Sequence, residues 1–200
     1  ISGDNLASTS DPDGDEFVNG TMPGDGYGDW YKIVAGNNRF VAFRSSFTDK
    51  AAYSIDGANW FEVTLPHAGK WMDCAYSKDD NRFVAIAEND NTVIYTTSGQ
   101  SWQTAEIPIN TYDDSTNDQW TCMTYGAGRF IAVSSSKRAV AYSEDGLTWA
   151  RYDLALPDDE ADDSNSVFDF VSVAYGNNMF VALTSNANKV FTSMDRGETW

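Results

Sequence analysis

Apolar and polar positions alternate in short runs along this chain, and the runs return in the same order four times. An aromatic opens the first run of each round, at Trp30, Trp71, Trp120 and Phe170, and the run closes at Ala35, Tyr76, Tyr125 and Tyr175. A turn rich in glycine and asparagine follows at Gly36-Asn37-Asn38, Gly126-Ala127-Gly128 and Gly176-Asn177-Asn178; the second round has the longer polar stretch Ser77 to Asn81 instead. Next comes an almost wholly apolar run: Arg39-Phe40-Val41-Ala42, Arg82-Phe83-Val84-Ala85, Arg129-Phe130-Ile131-Ala132 and Met179-Phe180-Val181-Ala182. Short alternating runs bounded by turn residues predict β-strands and essentially no helix. Phe40, Phe83, Phe130 and Phe180 recur at steps of roughly 43 to 50 residues, about the length of a propeller blade.

Each round holds two further strand signals. The third run is Ala52-Tyr53-Ser54, Ile94-Tyr95-Thr96, Ala141-Tyr142-Ser143 or Phe191-Thr192-Ser193. An Asp-Gly turn then leads to a tryptophan that opens the fourth strand, expected over Trp60 to Pro66, Trp102 to Pro108 and Trp149 to Pro157. Proline removes a ladder donor, so it suits the end of an outer strand. With strands lettered A to D, the A–B and C–D turns lie on one face and are short. The B–C and D–A connections lie on the other and are expected to be long: Arg44 to Lys50, Glu88 to Asn91, Ile109 to Gln119 and Asp158 to Asp169. Variable loops on a rigid scaffold are where recognition concentrates.

The predicted fold is therefore an all-β propeller of four-stranded antiparallel blades, with about four repeats visible and room for a larger ring. The repeats are 30–70, 71–119, 120–169 and an incomplete 170–200. Residues 1–29 read as the end of a degenerate preceding blade, because Asp11-Pro12-Asp13-Gly14-Asp15-Glu16-Phe17 fits the C–D turn with Phe17 in the tryptophan's place. That strand would either continue a longer array or close the ring on the last blade. Gly24-Asp25-Gly26-Tyr27-Gly28 reads as an interblade link, since it lacks dinucleotide-loop spacing.

These turns resemble the Asp-box, or BNR-like, repeat, Ser-x-Asp-x-Gly-x-Thr-Trp. Ser193, Asp195, Gly197, Thr199 and Trp200 match it fully, and the turns at Asp56 and Asp145 are one residue shorter. A weaker copy carries Ser98 for the aspartate. Together with the Tyr-Gly-Asn-x-Arg-Phe-Val-Ala grammar, the repeat is similar to propellers of bacteriophage tail and tail-fibre proteins. The resemblance implies a propeller fold and a non-enzymatic virion role. Because Asp-box propellers also include sialidases, sorting receptors and assembly factors, a sialidase-like glycan hydrolase is the alternative, and a secreted bacterial adhesin or assembly factor a further one. Ser54, Asp56, Gly57, Trp60, Ser143, Asp145, Gly146, Trp149, Ser193, Asp195, Gly197 and Trp200 are read as structural residues of the turn.

Composition narrows the partners. With 30 acidic against 13 basic side chains the formal net charge is -17. Such a chain repels nucleic-acid phosphates and anionic membrane surfaces. No apolar run reaches the ~20 residues of a membrane span, so no membrane insertion is expected. No secretory signal opens the chain, and its first residue, Ile1, suggests processing or a fragment. Cys74 and Cys122 fall on strand positions of opposite parity, which argues against a disulfide.

Chemistry is sparse. A sialidase would need an arginine cluster; Arg39, Arg82 and Arg129 instead share one repeat position, so repetition explains them. His67, the one histidine, lies in a loop-like stretch and reads as a surface residue. No catalytic residue, metal ligand or cofactor is assigned. Calcium is the sole ion considered, at Asp11, Asp13 and Asp15 or among Asp158, Asp159, Glu160, Asp162 and Asp163, although the sixth-position glycine and terminal glutamate of a calcium loop are missing. Arg44, Phe47, Tyr112, Lys137, Arg138 and Phe168 are the binding candidates, aromatics and cations in the B–C and D–A loops. They imply docking to sibling virion subunits or to a host-surface glycan or protein, in a virion or extracellular setting, with homo-oligomerisation as an open option.

Overall fold

In the computed structural model the described residues are 5–8, 18–24, 29–109, 118–136, 138–154, 169–185 and 188–200. The acidic runs at Asp11–Asp15 and Asp158–Asp163, the aromatics Tyr112 and Phe168, Lys137, Pro157 and residues 25–28 lie outside them.

Among the described residues the secondary structure is all strand. β1 (Asn5–Ser8) pairs with β2 (Val18–Thr21). Blade I is β3 (Trp30–Gly36), β4 (Arg39–Arg44), β5 (Thr48–Ser54) and β6 (Trp60–Gly69). Blade II is β7 (Trp71–Ser77), β8 (Arg82–Ala87), β9 (Asp90–Thr96) and β10 (Gln103–Glu106). Blade III is β11 (Trp120–Gly126), β12 (Arg129–Ser134), β13 (Ala139–Ser143) and β14 (Ala150–Asp153). Blade IV has three strands, β15 (Phe170–Gly176), β16 (Met179–Thr184) and β17 (Val190–Ser193). All pairings within these sheets are antiparallel between consecutive strands, and the first strands of successive blades stand side by side.

The near-continuous apolar character of the second strand follows from its place. β8 is buried on both faces: Val84 and Ile86 join Trp120, Met123 and Phe130 of blade III, while Phe83, Ala85 and Ala87 join Val41 and Phe43 of blade I. A strand sandwiched between two sheets has no solvent side on which to place polar residues. The first strands, in contrast, each carry one irregularity just after the opening aromatic, between Trp30 and Lys32, Trp71 and Asp73, Trp120 and Cys122, and Phe170 and Ser172. A bulge re-aims the side chain that follows it, and this recurring one places Lys32, Asp73, Cys122 and Ser172 at equivalent points of the inner strands.

The Asp-Gly turns are self-contained hydrogen-bond units that also seat on the preceding blade. Asp145 Oδ1 accepts from the backbone N–H of Leu147 and Thr148, both at 2.8 Å, and Gly146 N–H donates to Ser143 Oγ at 2.7 Å. Asp56 and Asp195 do the same. Trp60, Trp102 and Trp149 Nε1 donate to the turn carbonyls of Gly57, Gly99 and Gly146. Trp200 departs from this: its Nε1 donates to Tyr152 Oη at 2.8 Å, and Tyr152 in turn donates to Gly197 O. A Cβ at Gly99, Gly146 or Gly197 would fall 3.0, 2.6 or 2.5 Å from Val41, Val84 or Ile131 of the blade before. Each turn thus follows the third strand of its sheet and fastens that sheet to the blade before.

Hydrogen bonds from Asn59 and from the Ala58 N–H hold the Asp56 carboxyl far below its ordinary range, and Thr199 with Ser193 does so for Asp195. Around Asp145, burial works against the carboxylate, but the N–H groups of Thr148 and Leu147 prevail and its pKa is lowered. A depressed folded-state pKa contributes stability above the unfolded value and loses it as pH falls through the folded one. Thermal melts are therefore expected to show little change due to these groups at neutral pH and a falling midpoint below about pH 4, the ordinary aspartate range. A midpoint unaltered down to pH 2 would contradict this.

Two expectations need correction. The fourth strand of blade I does not stop at Pro66: β6 runs to Gly69, because Thr64 pairs with Lys50 and Gly69 with Thr48, leaving Pro66 in a register shift where no ladder donor is required. Nor are the B–C and D–A connections uniformly long. Between β8 and β9 the chain turns on Glu88 and Asn89 alone, with Asn89 at φ 55°, and a single residue, Lys70, separates β6 from β7. The two hold each other, Glu88 N–H to Lys70 O at 2.9 Å and Lys70 Nζ to Glu88 Oε2 at 2.6 Å.

Candidate functional site

Polar chemistry concentrates on the inner strands. Asp73 is buried, and three donors converge on it from three blades: Lys32 Nζ at 2.6 Å from blade I, its neighbour Cys74 N–H at 2.7 Å, and Met123 N–H at 3.0 Å from blade III. Cys122, at the equivalent point one blade on, repeats the gesture: its Sγ accepts from Val173 N–H of blade IV at 3.4 Å. An open cavity of about 460 Å³ runs along these strands beside Lys32, Asp73, Tyr76 and Tyr125. Burial disfavours the Lys32 ammonium, but the hydrogen bond and charge of Asp73 outweigh it and raise its pKa. Burial first, and Asp73 second, push the Cys122 thiol up to about 11 and the Cys74 thiol well above its ordinary value. Both thiols are unbridged and protonated at neutral pH, the opposite of an activated nucleophile. The one sequence signal for this centre is a lone acid inside an apolar strand, Trp71-Met72-Asp73-Cys74-Ala75.

The three arginines of the second strands are interblade ties. Arg39 Nη1 donates to Ser98 O, Arg82 Nη1 to Asp145 O, and Arg129 Nη1 to Arg196 O at 3.2 Å. Each reaches the same carbonyl of the next blade's C–D turn, as repetition requires, and they do not converge on one point. Arg129 also contacts Glu144 and Glu198 at 3.2 and 3.1 Å and lies over the Tyr142 ring. Another buried tie escapes sequence reading altogether: Arg151 meets Asp118 through Nε at 2.6 Å and Nη2 at 3.0 Å.

On the B–C and D–A face the candidates behave differently from one another. Phe47, at the tip of the turn between β4 and β5, is 73% exposed. Arg44 is turned inward, stacked 4.7 Å over Trp30, within 3.4 Å of Pro23 O and paired with Asp29 at 3.8 Å, so it pins the entry to blade I. Arg138 sits in the turn before β13 at φ 56°, its carbonyl accepting from Leu154 N–H at 3.1 Å. His67 lies near the end of β6 with Nε2 2.5 Å from Asp90 Oδ2 and its ring edge-on to Trp71. Among the described residues no group of three or more His, Cys, Asp or Glu side chains could hold a metal ion, and no helix is long and apolar enough to cross a membrane.

Comparison with known proteins adds the fold. No family model matches the sequence, and no curated protein matches it. Virginiamycin B lyase from Staphylococcus aureus superposes with a TM-score of 0.68 at 14% identity, covering 95% of this chain and 62% of that one. A catalytically inactive variant of that lyase, solved with quinupristin, gives 0.64 at 14%, over 88% and 59%. YCF48 bound to D1 peptide gives 0.62 at 18%, covering 98% of this chain and 59% of that one. The chain is thus an all-β propeller arc of four-stranded blades and spans about six-tenths of the length of these neighbours, one an enzyme and one a peptide-binding protein.

Proposed function

We propose that this propeller is a non-enzymatic binding component, a virion tail, tail-fibre or surface-decoration protein with Asp-box turns, acting in a virion or extracellular setting. The observation that carries the reading is how the reactive groups are spent. Asp73, Lys32, Arg39, Arg82, Arg129 and the turn aspartates all tie blade to blade or turn to strand, while Phe47 stands clear of the scaffold on the loop face. An exposed aromatic on a rigid turn suits stacking on a sugar ring or anchoring a protein contact. The ligand class proposed is a host-surface glycan or protein, or a sibling virion subunit. That a propeller of this shape takes a peptide in the YCF48 structure agrees with a docking role.

The pair His67–Asp90 favours one second reading, an enzyme with a histidine base, since a lyase shares the fold. A sialidase-type site fits less well because the three arginines are committed to carbonyls of adjacent blades. The readings separate in two assays. On a glycan array and in host-cell adsorption, Phe47→Ala is expected to lower binding at least tenfold with an unchanged melting temperature, whereas Asp145→Ala lowers stability by about 1 kcal/mol through lost turn bonds and leaves binding by the folded fraction intact. Turnover on a fluorogenic glycoside panel or of quinupristin, the compound in the lyase structure, abolished by His67→Ala, would replace the binding reading with the enzymatic one.

A further inference from the structure

We infer that a second copy of this chain pairs with the outer edge of β6, strand against antiparallel strand, about a two-fold axis at Val63.

β6 is the outermost strand of blade I and has 10 residues, whereas the outer strands of blades II and III, β10 and β14, have 4 each. Among the described residues its ladder partner is β5, so its other edge presents a row of backbone N–H and C=O groups that point away from the blade. Such edges are commonly blunted by proline, charge, a bulge or sheer shortness. Pro66 and the register shift around it do this at the far end of β6. The stretch before them, Trp60-Phe61-Glu62-Val63-Thr64-Leu65, has neither proline nor glycine, and it keeps an unbroken register with β5 as far as Thr64. It is aromatic and β-branched with one charge, Glu62, a composition suited to strand pairing. Phe61 is 51% exposed although it stacks on Tyr53 at 5.4 Å.

Glu62, Thr64 and Lys50 decide the occupant. Thr64 stands opposite Lys50 in the ladder and Glu62 lies two residues along, so the three side chains share one face of the sheet. Lys50 Nζ donates to Thr64 Oγ1 at 2.6 Å, while Glu62 Oε1 is 4.0 Å away. With the two-fold axis at Val63, Glu62 of each copy lies directly opposite Thr64 of the other, roughly 5 Å apart at Cβ. It then stands beside the ammonium that Thr64 already holds. Two Lys50–Thr64–Glu62 rows form, one on each side of the axis. On the opposite face Val63 meets Val63 and Phe61 meets Leu65. Moving the axis to Glu62 would set the two carboxylates against each other, and like charges directly opposite destabilise a strand pair. The edge is thus complementary to itself in one register.

The other outer strands lack this complementarity. β10 has Thr104 and Glu106 in the places of Glu62 and Thr64, and Thr92 where blade I has Lys50, so no cation meets the acid; Glu106 also bridges to Thr148 of blade III. β14 has Arg151 and Asp153 there, but Arg151 is buried and held by Asp118. Repulsion between two chains of net charge -17 opposes association. At physiological salt it is screened beyond about 8 Å, whereas the Lys50–Glu62 rows act at closer range. An isologous contact of this kind stops at two copies.

The test is sedimentation equilibrium of the 200-residue chain at physiological salt over roughly 10–1,000 µM, the range in which a contact smaller than the standard interface is read. A monomer–dimer equilibrium is expected. Glu62→Lys should weaken it about tenfold or more, because two cations then face each other in each row. Its melting temperature should not change, since Glu62 is exposed. Adding Lys50→Glu to Glu62→Lys exchanges the charges and should restore the dimer. In a second measurement, an oxidised equimolar mixture of Glu62→Cys and Thr64→Cys proteins should give a disulfide-linked heterodimer, and either protein alone should not. A monomer throughout the range overturns the inference and leaves the edge to an extended segment of another protein. Self-association that Glu62→Lys leaves unchanged, with no selective cross-link, overturns it as well, and none of these results bears on ligand binding at Phe47.

Discussion

Asp73→Ala is expected to destabilise the protein by about 2–5 kcal/mol, the cost of leaving buried hydrogen-bond donors without their acceptor. Its carboxylate is the common acceptor for Lys32 Nζ, Cys74 N–H and Met123 N–H. Alanine leaves two buried backbone donors without an acceptor and the half-buried Lys32 without its counter-ion. The loss should appear in urea unfolding as a lower midpoint, and blades I and III should lose their coupling through blade II, so the transition should also broaden. Lys32→Met keeps both N–H bonds but strips the buried carboxylate of its counter-ion, so it is expected to cost about 1–3 kcal/mol. The thiols provide a separate readout. With the Asp73 charge gone, the Cys122 pKa should fall from about 11 toward its ordinary value while burial, the larger cause, keeps it raised. An Asp73→Ala protein within 1 kcal/mol of the parent, with an unaltered Cys122 titration, would show that the carboxylate is not the keystone of the inner strands.

Gly146→Ala should cost about 2–4 kcal/mol, and its neighbour in type, Gly128→Ala, only about 1. Both glycines have a left-handed backbone, φ 73° and 76°. They differ in what a methyl group would meet. At Gly146 the new Cβ would lie 2.6 Å from Val84 Cγ2 of blade II, whereas at Gly128 the nearest atom is the flexible end of Arg196 at 3.6 Å. The common strain cancels in the comparison, so the difference measures the seating of the turn of blade III on blade II. Val84→Ala should remove most of that difference in a double-mutant cycle. Equal losses at the two glycines would mean that the turn is strained locally but does not fasten the blades.

Both predictions draw on features of different visibility. Gly146 stood out in the sequence, because Ser143-Glu144-Asp145-Gly146-Leu147-Thr148-Trp149 is a local motif whose hydrogen bonds close within seven residues. The strand pattern was legible for the same reason: alternation and turn chemistry are short-range, and repetition makes each blade corroborate the others. Even there the limits were local ones. The continuation of β6 past Pro66 depends on a register shift against β5, which no propensity of Pro66 announces.

What the chain alone determined, then, is its all-β character, its blade length and the identity of its turn residues, since these depend on neighbours a few positions away. The tertiary structure decided what the charged groups are for. Arg39, Arg82 and Arg129 become ties because the next blade's carbonyl arrives beside them from roughly 60 residues further along. Arg44, expected to face a partner, folds onto Trp30 and Pro23 because the segment before blade I crosses it. Asp73 gathers donors from three blades that are separated in sequence and adjacent only when the inner strands stand in a row. A charge costs free energy to bury unless partners meet it. Where those partners come from distant segments, the curvature of the arc sets their positions, and the curvature is a property of all the blade interfaces together.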